Sequence, residues 1–219
     1  MSAVLGVMIF IPLVLSIILH EIAHAYAAYL LGDDTAKKKG RLSLNPLHHV
    51  DLLGTIIIPL FLWIGQAGFM FGWARPVPVN LAKIKKKPGG QIIVASAGIL
   101  MNLWLAIISA LLLMLAAFIS APQVRGGISV FLIYMIIFNV GLAIFNAIPI
   151  PPMDGSQILL GWVKKPWARK YLSSYRYGFV IMVFLLFILP SIGNAIGIDL
   201  NFFREALITI TRYLCSFLM

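Results

Sequence analysis

Acidic residues are the scarcest chemistry in this chain. Its 219 residues hold seven Asp and Glu against seventeen Lys and Arg, and only Glu21 and Glu205 are glutamates. Charged residues make up 11% of the whole, apolar ones 61%, and the mean hydropathy is +0.99. An ordinary soluble domain does not have that balance. Cysteine is nearly absent as well. Cys215 stands alone, which excludes an internal disulfide and a thiolate metal site. No repeat, low-complexity tract or appended polar domain breaks the pattern, so residues 1–219 read as one membrane-embedded domain.

Long apolar runs are abundant instead. Residues 2–31, 91–120, 128–150 and 178–197 each reach the length of roughly 20 residues that crosses a bilayer as helix. The first run lacks a basic start and carries polar chemistry at its end, which argues against a cleavable signal. A fifth stretch, 51–73, is broken by Gly54, Pro59, Gly65, Gly68 and Gly72. Fourteen of the seventeen basic residues fall in three connecting segments, 37–41, 75–87 and 164–176. That clustering follows the positive-inside rule and marks a cytoplasmic face, in contact with anionic lipid, rather than a nucleic-acid surface. With all three segments inside, 51–73 begins and ends on one side and reads as a re-entrant hairpin. The tail 199–219 places Asn201, Glu205, Thr209, Arg212 and Ser216 on one helical stripe, either in the interface or as a further span. The expected fold is an all-α polytopic membrane protein of about four to six transmembrane helices. A re-entrant or short-strand segment lies near the site.

Against that background His20-Glu21-Ile22-Ala23-His24 stands out. Histidines four apart share one helix face and suit a single metal ion, and a carboxylate between them in an apolar run demands a role. A catalytic zinc usually has a third protein ligand. Asp154 is the candidate. It lies about ten residues from the basic loop, a depth of roughly 15 Å against roughly 16 Å for the two histidines at helical rise. The alternative is that Asp154 merely caps a helix starting near Gly155. Residues 128–163 are too long for one straight span, so the prolines at 149, 151 and 152 should break it.

These motifs, with Asn146…Pro149…Pro151-Pro152-Met153-Asp154-Gly155, resemble the site-2 protease family of intramembrane zinc metalloproteases. The resemblance extends to Gly40–Asp51 and Gly72–Asn80 and covers roughly residues 18–160, with helices of about 178–219 following. It is to the short bacterial-type members without a PDZ or CBS domain. It implies one zinc per chain on His20, His24 and Asp154, with Glu21 as the catalytic carboxylate toward the water that the metal activates. The implied activity is cleavage of membrane proteins in or near a transmembrane helix, by a multi-pass protein of the cell membrane whose site lies nearer the cytoplasmic face. The family's Gly-Pro-x-x-Asn is here Gly98-Ile99-Leu100-Met101-Asn102, without the proline.

Two further groups could take part. Asn102 could offer its amide to a tetrahedral oxyanion or could be an interhelical hydrogen bond. Asn146 is the candidate substrate contact, and Asn139, seven residues earlier, shares its face. Residues 41–44 and 76–79 alternate like extended edges that could pair with an unwound substrate, or they are plain loop. His48 and His49 suit polar contacts better than a fourth ligand. A metal-ion or proton transporter could use the same buried ligands, although such proteins usually show repeated halves.

Overall fold

A computed structural model describes residues 3–65, 72–84, 89–163 and 165–219. All regular structure in them is helical. Helix α1 spans Ala3–Leu30, α2 Leu52–Ile64, α3 Gly90–Ala116, α4 Pro122–Ala147, α5 Asp154–Trp162 and α6 Pro166–Leu172. Residues 175–196 form α7, wound as a π-helix over Phe184–Ile188, and α8 is Phe202–Cys215. Three of these, α1, α3 and α4, are long and apolar enough to cross a bilayer, and α2 and part of α7 are shorter apolar helices. The expected short strand is absent among the described residues: 72–80 carries no regular structure, and Pro76 and Pro78 hold the residues before them, Arg75 and Val77, extended.

The three long helices form the core. His24 meets Val94 while Ser16 meets Asn102, so α1 and α3 are antiparallel; Ser16 also meets Asn139, and α4 runs alongside α1. Small residues permit the close approach. Ala106 and Ala110 of α3 pack on Ile136 and Val140 of α4 with Cys215 of α8. Outward, α3 shows Trp104, Leu111, Met114 and Leu115, while Ser16, Asn102, Ser109 and Asn139 are buried. Polar inside and apolar outside is the pattern of a bundle solvated by lipid.

Residues 51–73 return to their start. Trp73 N–H donates to the Gly54 carbonyl (3.1 Å), Thr55 Oγ1 donates to the Trp73 carbonyl (2.8 Å), and Arg75 N–H donates to the His49 carbonyl (2.9 Å). Gly54 is obligatory there, because a Cβ would lie 2.4 Å from the Trp73 indole. The two limbs of a hairpin thus meet at its base, with Gly68 and the rest of 66–71 outside the described residues, as are Lys85–Lys87 and Lys164. The chain from α4 to α5 breaks at 148–153, where the prolines stand. Gly32, at φ 97°, turns the chain out of α1.

Candidate metal centre

Helical pitch brings His20 and His24 to one face of α1, and the break after α4 swings Asp154 onto them. His20 Nε2 lies 3.2 Å from Asp154 Oδ2, His24 Nε2 lies 3.3 Å from it, and the two Nε2 atoms are 3.0 Å apart. Among the described residues this is the one cluster of three or more His, Cys, Asp or Glu able to share an ion. Met153 is the N-cap of α5 and Asp154 is its first helical residue, so Asp154 stands past the capping position.

Hydrogen positions follow from the partners. His24 Nδ1 faces the Val94 carbonyl at 2.7 Å, and a carbonyl only accepts, so Nδ1 carries the hydrogen and Nε2 a lone pair. His20 Nδ1 donates to Asn102 Oδ1 at 2.5 Å, leaving its Nε2 bare too. With both rings neutral, three electron-pair donors converge with no hydrogen between them. Asp154 Oδ2 is correspondingly a buried oxygen without a hydrogen-bond donor. Such a triangle repels itself unless a cation sits on it. Its edges match zinc as well, since ligand atoms on a tetrahedral ion with bonds of about 2.0 Å stand about 3.3 Å apart. The donor set fits the metal.

Glu21 lines a cleft of about 590 Å³ together with His20, His24, Asp154 and Asn146. Its Oε2 accepts the Val77 N–H at 2.9 Å. Val77 sits between Pro76 and Pro78, which have no N–H, so it is the only amide donor of that triplet. Arg41 holds the same segment from behind by donating through Nη2 to the carbonyls of Arg75 and Pro76. Burial and the neighbouring Arg75 pull the Arg41 pKa below its ordinary value, against the attraction of Glu21.

The asparagines divide. Asn146 is on the cleft wall and gives one amide hydrogen to the Leu142 carbonyl (3.0 Å). Asn102 is elsewhere: it is fully buried behind His20, and its amide hydrogens go to Asn139 Oδ1 (2.7 Å) and the Ser16 carbonyl (3.4 Å). The amide expected to meet an oxyanion is thus turned into the bundle, toward the back of a ligand. His49 is buried and donates through Nε2 to the Ser43 carbonyl, while His48 is exposed; neither joins the cluster. Burial lowers the His49 pKa.

Five contributors escape a reading of residue types alone. A Cβ on Gly98 would stand 2.4 Å from His24 Nε2 and 2.5 Å from His20 Cε1, so only glycine leaves room for both rings. Val77 and Val94 act through their backbones, which no side-chain identity reports. Gln91 and Gln157 bridge α3 and α5 at the cleft (3.1 Å). Only Gly98 left a trace, four residues before Asn102 and so on the same helix face.

Comparison with known proteins accords with this geometry. The model of peptidase family M50 matches residues 113–189. Two relatives share the name "Putative zinc metalloprotease". YwhC of Bacillus subtilis (strain 168) is 40% identical over 207 residues, 90% of this chain and 88% of its own length. Rip2 of Mycolicibacterium smegmatis is 30% identical over 183 residues, 82% of this chain and 66% of its own. No solved structure matches the chain.

Proposed function

The chain belongs to peptidase family M50, and we propose that it is a zinc endopeptidase that cuts membrane proteins in or near their transmembrane segments. One observation carries this: three lone-pair donors converge beside a lone glutamate, in a cleft within a lipid-facing helical bundle. His20, His24 and Asp154 would hold one zinc. When bound, the metal supplies Lewis acidity, which makes a water nucleophilic near neutral pH and polarises the scissile carbonyl.

The protein's own groups do the rest. Glu21 takes a proton from the attacking water as oxygen adds to the carbonyl carbon. It returns that proton to the amine as the carbon–nitrogen bond breaks. Val77 N–H holds one carboxylate oxygen, so Glu21 faces the cleft in one orientation. Asn146, on the cleft wall, is placed to donate to the substrate carbonyl or its oxyanion. Asn102 orients His20 instead of touching substrate. A substrate helix must unwind to present its carbonyl, and the segment 72–80 beside the cleft offers backbone to a freed strand. The bilayer of the cell membrane is the surrounding solvent in this reading, and the clustering of basic residues in three connecting segments supports a site nearer the cytoplasmic face.

Glu21→Gln tests the assignment. It keeps shape but cannot take a proton, so cleavage of a membrane substrate should fall at least about a hundredfold with zinc content intact. His24→Ala and Asp154→Ala should lose the metal itself. Near wild-type cleavage by Glu21→Gln would sink the mechanism. A transporter using these ligands would still carry metal in that variant.

A further inference from the structure

We propose that Asn139 and Ser16 decide which nitrogen of His20 carries its hydrogen, acting as remote positioning residues for the metal ligand. This rests on His20 ligating through Nε2, as assigned above. The chain of bonds behind His20 is directional. It begins at two backbone carbonyls, which can only accept. Asn139 Nδ2 donates to the Met135 carbonyl (2.8 Å), and Ser16 Oγ donates to the Pro12 carbonyl (2.7 Å). With its hydrogen spent, Ser16 Oγ can only accept, and it takes the second Asn139 Nδ2 hydrogen (2.8 Å). Asn139 must therefore present Oδ1 to Asn102, and it receives the Asn102 Nδ2 hydrogen at 2.7 Å. Asn102 in turn must present Oδ1 to His20 Nδ1. The ring hydrogen is drawn to Nδ1, and Nε2 is left bare toward Asp154 and His24.

The weak point of this chain is Asn102. An amide has nearly the same shape either way round, so its neighbours alone set its direction. Without Asn139, the remaining directional contact is to the Ser16 carbonyl at 3.4 Å. A reversed Asn102 would offer N–H to His20 Nδ1. The ring hydrogen would then move to Nε2, the atom required for the metal. Both asparagines have no exposed surface, so water does not take over the lost bond.

The experiment is zinc affinity of the purified full chain, read by competition with a chromophoric chelator. Asn139→Leu should weaken zinc at least about tenfold. In an Asn102→Leu background the relay to His20 is already cut, so Asn139→Leu should change the remaining affinity less than about threefold. Equal losses in the two backgrounds would mean that Asn139 serves packing alone, which overturns the proposal. Ser16→Ala removes only a hydroxyl and carries the test if Asn139→Leu is not recovered as monodisperse protein. It should weaken zinc measurably in the native background and not in Asn102→Leu. Unchanged affinity of Ser16→Ala in the native background overturns the proposal. Full zinc retention by His20→Ala would instead overturn the ligand assignment beneath it.

Discussion

The two flanks of α1 are held in opposite ways. Toward α3 and α4, His20 and His24 each spend Nδ1 on a buried partner, and Gly98 shapes the space between them. Toward the cleft, Glu21 has a single backbone amide from an extended segment. The ligand flank is over-determined, as a metal site requires, since ligand position and ring hydrogen must both be fixed before the ion arrives. The flank of the base is held at one point and faces open space. A group that must take a proton and later return it gains from orientation but loses from being surrounded by donors. The asymmetry separates binding from turnover, so changes on one flank should move zinc and changes on the other should move rate.

Gly98→Ala should break the ligand flank most severely. The added methyl would sit inside contact distance of both imidazoles, and neither ring can swing away without giving up its Nδ1 bond. Zinc occupancy after purification should fall at least about tenfold, with activity falling in proportion. Elemental analysis of the purified protein checks it. Full zinc with wild-type activity would show that the two rings have slack that the contacts do not suggest.

Val77→Pro probes the other flank and should be milder. It removes the one N–H held by Glu21 while the extended backbone between Pro76 and Pro78 suits proline. The turnover rate should drop by about tenfold, corresponding to about 1.4 kcal/mol, the size of one hydrogen bond to a charged group. Zinc content should stay at the wild-type level. A loss of zinc equal to the loss of rate would merge the two flanks and end the comparison.

Much of this site was legible in the sequence, and what was not shares one cause. His20, His24 and Glu21 are readable because an α-helix fixes their angles from spacing alone. Asp154 needed one more step, matching its depth to that of the histidines across two helices. Asn102 was visible as a polar group in an apolar helix, but helix pitch does not say which neighbour it meets. It therefore stood equally for an oxyanion donor and an interhelical bond, and it proves to be a bond to the ligand itself. Val77 and Val94 contribute backbone atoms, which every residue has. That the two ends of 51–73 meet agrees with the like-charged loops on either side, which favour one face of the membrane. Its internal winding, a π-helix over Leu52–Ile57 capped by the Asp51 side chain, was not read from the sequence.

The smallest effect concerns the strut that joins the two flanks at the end of α1. Asp33 is fully buried; Oδ1 accepts the Thr35 N–H (3.0 Å), and Oδ2 accepts the Asn80 N–H (2.6 Å) at the far end of the extended segment. Burial pushes its pKa up, but the Thr35 hydroxyl and amide, the Asn80 amide and Lys83 outweigh burial, and the carboxyl titrates below its ordinary value. A depressed folded pKa means that the ionised form stabilises the fold. That contribution is full above the unfolded value of about 3.9 and is lost as pH falls through the lower folded value. Asp33→Asn should therefore cost about 1–3 kcal/mol near neutral pH, and its Tm should approach that of the wild type as the pH drops below about 4. Thermal unfolding in detergent across that range measures the gap. A gap that stayed constant through acid would mean that Asp33 holds the segment by shape rather than charge. In the expected case zinc content stays unchanged while the rate falls slightly, because the segment that carries Val77 has lost its anchor but the ligand flank has not.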